Sequence, residues 1–284
     1  MRLFIAALAL TVVVAAAGFY VVNLNDTSSE LDSRWASSTE SSELEIDHSA
    51  WQLLLDDYLV SDTDSGVNLF DYSGLLDDGR EPLDEYVGYM VSVDPLTLNP
   101  REQKAYWINL YNVLTVQLIL DNSPTVSITE LGSNPLDFGP WNDVAASING
   151  IELSLNDIEH RIIRPLYDDY RIHFAVNCAS IGCPNLATGV FNAADLDEQL
   201  DAAASEYLNH PRGIHFDGDQ LLLSSLFEWY ASDFGDDQDG VLATLGRHVG
   251  ADVRDALSKY DGTPEYAYDW GLNGYCSIDN ECGQ

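Results

Sequence analysis

The chain has 284 residues and is 46% hydrophobic and 11% aromatic, enough apolar material to bury a sizeable core, which excludes an intrinsically disordered protein. Acidic residues number 47 against 12 basic ones, for a formal net charge of -35. A nucleic-acid backbone would be repelled, so no nucleic-acid partner is expected, and the excess charge reads as a solvated acidic surface suited to salty surroundings.

At the N-terminus, Arg2 precedes an apolar run from Leu3 to about Val22 that is broken only by Thr11 and Gly18. This has the make-up of a signal peptide, with a small-residue cleavage site at Ala15, Ala16 and Ala17. Its length, about 20 residues, also suits an uncleaved membrane anchor. Residues 1–24 are therefore expected to direct export, leaving the protein periplasmic, secreted or anchored, with membrane contact only through this segment. No cysteine lies near the run, which excludes a lipid-modified cysteine at its end. An oxidising compartment favours disulfides. The four cysteines allow three pairings, of which Cys178 with Cys183 and Cys276 with Cys282 are the simplest.

Residues 25–46 are rich in Ser, Thr, Glu and Asp and read as a flexible acidic linker. Residues 47–284 read as a single globular domain. Trp51, Leu54, Leu55, Tyr58 and Leu59 recur at helical spacing, 68–72 suits a short extended segment, and 83–91 a second helix. The best-defined helix starts at Asn99 as cap, with Pro100 in the first position and Glu102 placed as in a capping box, and runs to about 121. It is apolar on every face, which predicts a central buried helix. Its polar exceptions, Asn109 and Asn112, need partners, because a buried unpaired amide costs about 1–3 kcal/mol. They either tie neighbouring backbone in place or orient a functional group.

Residues 144–153 read as a hairpin turning at Asn149 and Gly150. Ser154 then caps a short helix with Asp157 at its third position; Glu159 and His160 lie beside its apolar stripe, and Pro165 marks its end. In 171–176, Ile172, Phe174 and Val176 alternate with His173 and Ala175, the period of a strand, before a loop carrying Cys178, Gly182, Cys183 and Pro184. Further on come a helix over 194–208, a hairpin over 214–224 and helices over 226–234, 241–249 and 253–260. The fold class expected is α+β: a mainly helical single domain with a small antiparallel sheet and a central buried helix.

The segments EQKAYWINLYNVLTV, LSLNDIEHRIIRPL, DDYRIHFAVNCASIGCPNL, LFEWYASDF and YDWGLN occur in this order. In them the chain resembles the domain of unknown function 547 family over most of 48–275. The resemblance implies a bacterial exported protein of that fold and implies little chemistry. The matching residues that could line a shared site are Asn109, Asn112, Glu159, His160, Arg164, Arg171, His173, Cys178, Cys183, Asp269, Trp270 and Asn273. The tail with Cys276 and Cys282 falls outside the pattern.

Three functions fit these residues. The first is an exported structural or ligand-binding domain for a small molecule or peptide, stapled by Cys178–Cys183. The second is a cysteine-dependent hydrolase or transferase acting on an amide or thioester. There Cys178 is the nucleophile, His160 the base, Glu159 or Asn112 its orienting group and His173 a less suited alternative, with loop N–H groups as oxyanion hole. Asn109, Arg164, Arg171, Asp269 and Asn273 would support it. The third is a zinc site at His160, His173, Cys178 and Cys183; otherwise no cofactor is expected. The acidic stretch 233–239 reads as a solvated loop, and Trp229 and Tyr230 as core.

Overall fold

The computed structural model describes residues 30–123, 126–131 and 138–275. The expected export segment and the pair Cys276 and Cys282 lie outside these residues. Among the described residues no helix is long and apolar enough to cross a membrane. The fold is α+β and mainly helical. Helix α1 (Ser49–Tyr58) buries Trp51, Leu54 and Leu55 and packs on helix α2 (Arg80–Ser92), which in turn packs on helix α3 (Pro100–Asn122).

Helix α3 is buried without a break from Glu102 to Val116, as its all-round apolar pattern requires. The Asn99 side chain accepts the N–H groups of Arg101 and Glu102. Glu102 does not close the capping box. Its Oε1 instead accepts the Ile46 N–H at 2.7 Å. The segment leading to Ile46, expected as a free spacer, is docked on the domain. Asp32 N–H bonds to Arg161 C=O at 2.9 Å, Thr39 N–H to Leu98 C=O at 2.8 Å, and Gln103 Nε2 to Ser37 C=O at 2.9 Å. Trp35 is 1% exposed and stands edge-on to Trp107, with ring centroids 5.4 Å apart. One buried aromatic and several paired backbone groups outweigh the solvating tendency of the Ser and Glu residues around them.

Strands β1 (Leu59–Val60) and β2 (Leu69–Phe70) form a short antiparallel pair. Strands β3 (Val144–Ile148) and β4 (Ile151–Ser154) form the expected hairpin, with Asn149 at φ 53° and Gly150 at φ 76°, both left-handed as a type I′ turn demands. Ser154 and Asp157 complete a reciprocal capping box on α4 (Leu155–Ile158). The helix does not end at Pro165. It widens into a π-turn, Glu159–Ile163, and resumes as α5 (Arg164–Tyr167). Proline has no N–H to offer the carbonyl four residues back, and that carbonyl, on Arg161, is the one taken by Asp32.

Residues 171–176 are not a strand. Tyr170–Phe174 is a 3-10 turn, opened by the Asp169 carboxylate accepting the Arg171 N–H. Alternation misleads here because Ile172, His173, Phe174, Ala175 and Val176 are all buried, so no solvent face exists for a period of two to mark. Helix α6 (Leu196–Leu208) follows the cysteine loop. A three-stranded sheet comes next, with β5 (Ile214–Asp217) antiparallel to β6 (Gln220–Ser224) and β7 (Glu265–Ala267) parallel to β6. Between β6 and β7 lie α7 (Leu226–Trp229), α8 (Ala231–Phe234), α9 (Gln238–Leu245) and α10 (Ala251–Lys259).

The apolar interior has two main parts. One surrounds α3 and includes Trp51, Phe70, Trp107, Tyr111, Ile158 and Val176. The other surrounds the three-stranded sheet and includes Phe174, Tyr207, Leu226, Phe227 and Phe234. Just ahead of the cysteine loop the chain passes from the second part, at Phe174, to the first, at Ala175 and Val176.

Candidate functional site

The loop after Phe174 is fixed by side-chain amides. Asn112 Oδ1 accepts the Asn177 N–H at 2.9 Å, and Asn112 Nδ2 donates to Ala175 C=O at 2.9 Å. Asn177 spans the loop in turn, accepting the Ala179 N–H and donating to Pro184 C=O. Ala179, next to Cys178, holds φ 58°, a left-handed conformation that costs a residue with a Cβ about 1–3 kcal/mol unless its surroundings impose it. The C-terminal segment imposes it from the other side. Ile181 N–H bonds to Gly271 C=O at 2.7 Å, Gly182 N–H to Asp269 C=O at 2.8 Å, and Asn273 N–H to Ala179 C=O. Gly182 must be glycine for this approach, since a Cβ there would lie 2.7 Å from the Asp269 backbone nitrogen.

Cys178 and Cys183 are thiols, not a disulfide. Their sulfurs are 3.0 Å apart, well beyond the bonded distance of about 2.05 Å, so the expected Cys178–Cys183 staple is absent. Cys183 is buried and its sulfur accepts the Cys178 N–H. Cys178 is half-buried, and its sulfur lies within hydrogen-bond reach of Cys183 Sγ at 3.0 Å, Ser180 Oγ at 3.2 Å and Tyr268 Oη at 3.1 Å. Hydrogen bonds from Cys183, Ser180 and Tyr268 bring the Cys178 thiol below its usual range despite burial and the nearby Glu159 charge. Burial and the neighbouring Cys178 push Cys183 well up. Burial does the same to Tyr268, which keeps its phenol proton available to donate. The two sulfurs are therefore inequivalent, and Cys178 is the one that favours the thiolate, the nucleophilic form.

Cys178 borders a cavity of about 170 Å³ whose walls include Tyr111, Glu159, His160, His173, Trp229, Tyr230, Tyr268 and Trp270. The π-turn puts Glu159 and His160 into this wall, a frequent use of such turns. His160 Nδ1 lies 3.2 Å from Arg164 Nη1. A guanidinium only donates, so this nitrogen accepts, and burial holds the imidazole neutral by lowering its pKa. The proton then sits on Nε2. His160 is thus a hydrogen-bond donor with no lone pair left to act as a base, contrary to the role expected of it. His173 donates Nε2–H to Asp233 at 2.7 Å and stacks on Tyr230 with ring centroids 4.3 Å apart. Asp233 also receives a two-pronged ion pair from Arg164, at 2.7 and 2.9 Å. Burial alone would raise the Asp233 pKa; the bonds from His173 and Arg164 bring it far below the usual carboxylate range.

The zinc alternative draws no support from this geometry. Arg164 and Asp233 occupy His160 Nδ1 and His173 Nε2, and among the described residues no three His, Cys, Asp or Glu side chains gather as metal ligands. Most of the backbone donors expected for an oxyanion hole are already committed, because the N–H groups of Cys178, Ala179, Ile181, Gly182 and Cys183 are bonded within the fold.

Of the residues singled out from the sequence, Glu159, His160, His173, Cys178, Cys183 and Trp270 converge on the cavity. Arg164 stands directly behind it, on Asp233. Asn112 braces the loop and does not orient an imidazole. Asn109 bonds Ala105, Phe191 and the buried His48. Arg171 belongs to an ion-pair group with Asp169, Asp197 and Asp201. Asp269 caps the Gly271 N–H, and Asn273 accepts the Tyr72 hydroxyl. Sequence reasoning missed Asp233, Tyr230, Ser180 and Tyr268. Tyr268 opens the quoted YDWGLN segment, which was its only signal. Asp233 was absorbed into an acidic run that looked solvated.

No curated protein and no solved structure matches the chain. Residues 95–208 match the family model described as "Protein of unknown function, DUF547", a stretch that takes in α3, the β3–β4 hairpin, the π-turn, the cysteine loop and α6, so this part of the chain is similar to that family of domains of unknown function.

Proposed function

We propose that the cavity carries out cysteine-dependent acyl transfer or hydrolysis, with Cys178 as nucleophile and a thioester as the preferred substrate. The observation that supports this is the Cys178 sulfur, which borders the cavity and lies 3.0–3.2 Å from Cys183, Ser180 and Tyr268, contacts that favour its thiolate. In this reading the thiolate attacks the acyl carbon. A carbon–sulfur bond forms, and the carbonyl π pair moves onto oxygen, where His160 Nε2–H donates to it. When the carbonyl re-forms, the substrate's carbon–sulfur bond breaks and the leaving thiolate takes the electron pair. Water then attacks the acyl-Cys178, giving a carboxylate, a proton and free Cys178. A thiolate departs without a proton. An amine leaving group needs one, and a neutral His160 that already donates its only proton is ill suited to supply it, which favours thioester over amide.

A second reading, ligand binding without turnover, draws support from the N–H groups of Cys178, Ala179, Ile181 and Gly182, which are already committed within the fold and so cannot hold an oxyanion. Turnover separates the two. The purified chain should release thiol from simple acyl thioesters, Cys178→Ala should abolish the release, and iodoacetamide should alkylate Cys178 with a midpoint below that of free cysteine. Absence of Cys178-dependent release across a panel of aryl and alkyl thioesters and amides leaves the binding reading in its place.

A further inference from the structure

We infer that the ligand of this cavity carries a cationic group, a protonated amine, that sits between the Glu159 carboxylate and a wall of tryptophan and tyrosine rings. If Cys178 acts as proposed above, the substrate is an acyl compound bearing that amine. The first observation is Glu159 itself. It is 6% exposed, lines the cavity, and among the described residues has no side-chain hydrogen-bond partner. Two imidazole nitrogens, His160 Nδ1 and His173 Nδ1, stand 3.8 Å from its Oε1, too far for a hydrogen bond. Those imidazoles have other partners, Arg164 and Asp233. A buried carboxylate without a donor is costly, and the cost falls when a ligand supplies one.

The second observation is the aromatic part of the wall. Trp270 is the hub of an aromatic group: its ring centroid lies 4.6 Å from Tyr268, 5.4 Å from Trp229 in a near-parallel stack and 5.7 Å from Trp141. All four residues border the cavity. Ring faces attract cations, and tryptophan does so most strongly. Tyr268 belongs to this group and also contacts the Cys178 sulfur at 3.1 Å, so a group held on the wall lies beside the candidate nucleophile. The third observation is charge. Among the described residues the cavity wall holds no lysine or arginine. The nearest guanidinium, Arg164, is already paired with Asp233, and the whole chain carries -35. An anionic ligand meets repulsion at every scale, and a cation meets attraction.

The test uses three probes of similar shape and different charge: benzylammonium, benzyl alcohol and benzoate. Each is titrated into the full chain at pH 7 and low salt, with tryptophan fluorescence reporting occupancy. Benzylammonium should bind at least about 10-fold more tightly than benzyl alcohol, benzoate should be weakest, and Glu159→Gln should reduce the cation's advantage to less than about 2-fold. Equal affinities, a preference for benzoate, or no binding of any probe overturns the inference. The wild-type series decides even if Glu159→Gln does not fold. Binding is read without turnover, so a chain that selects the cation yet cleaves no thioester refutes the catalytic proposal alone. Cleavage of thioesters with no preference for an amine refutes this inference alone.

Discussion

The chemistry of the pocket turns on which atoms hold protons, and single side chains decide that. Tyr268 donates to Cys178 from 3.1 Å with a proton that burial keeps firmly on its oxygen. Tyr268→Phe removes one stabilising bond from the thiolate while leaving the ring in its aromatic group. The alkylation midpoint of Cys178 should move upward and its rate at pH 7 fall several-fold, measured by iodoacetamide trapping across pH; an unchanged profile would show that Ser180 and Cys183 suffice. Acid stability depends on other carboxylates. The Asp169 pKa falls from an ordinary 3.8 to about 2; burial opposes the shift, and bonds from Arg171 and Lys104 drive it. Asp233 is depressed as well. A carboxylate whose folded pKa lies below its unfolded one stabilises the fold above the unfolded value and loses that contribution as pH falls through the folded value. For Asp169 the window runs from about pH 4 down to about pH 2, and the shift corresponds to roughly 2 kcal/mol. Urea unfolding between pH 6 and pH 2 should show this decline in the native chain and a shallower one in Asp169→Asn. Asp233→Asn leaves Arg164, whose side chain is 2% exposed, as a buried charge with weakened pairing, and should cost about 3–5 kcal/mol at pH 7. At this scale the sequence was only partly readable. Cys178, His160 and Glu159 stood out because their residue types carry chemistry. The tautomer of His160 depends on Arg164, one helical turn away, through a contact that residue type does not announce.

Among the elements, those with strong local signals formed as read. Helix α3 announces itself by its Asn-Pro start and an apolar surface on every side, and the β3–β4 turn by Asn-Gly, the pair that most easily adopts two left-handed residues. Elements defined by their surroundings did not announce themselves. The Tyr170–Phe174 turn is buried throughout, so its alternation carried no information about faces. The π-turn needs Pro165 together with Asp32, more than a hundred residues away. The docked segment around Trp35 has the composition of a linker, and one aromatic anchors it. Trp35→Ala should therefore cost about 3–5 kcal/mol, as large-to-small changes of buried aromatics do. It should also release residues 32–46 to proteolysis while the rest of the domain stays resistant. A loss below about 1 kcal/mol would mean that the backbone bonds of Thr39, Ser37 and Ile46 hold the segment without the ring.

The whole molecule explains why the site could be seen only in outline: its wall combines Tyr111 on α3, Glu159 on the π-turn, Cys178 on the loop, Tyr230 after α7 and Trp270 near the C-terminus. Only the fold brings residues this far apart in sequence together. The net charge also acts at this scale. Pairs such as Arg34–Asp32, Arg80–Asp121, Arg101–Asp197, Arg161–Asp157 and Lys259–Asp255 are partly or fully exposed, and such pairs contribute only about 0–1 kcal/mol each. With 47 acidic residues against 12 basic ones, repulsive pairs of charges far outnumber attractive ones. Folding draws these charges together, so self-repulsion opposes the compact state more than the few exposed pairs support it. Salt weakens both, since the screening length falls from about 10 Å at 0.1 M to about 3 Å at 1 M, but the repulsions are far more numerous. Raising sodium chloride from 0.1 to 1 M should therefore raise Tm, by about 2–4 °C for each kcal/mol of repulsion removed. The gain should shrink near pH 4, where the exposed carboxylates begin to take up protons and the repulsion disappears without salt. A Tm that falls with salt at pH 7 would show that the ion pairs outweigh the repulsion.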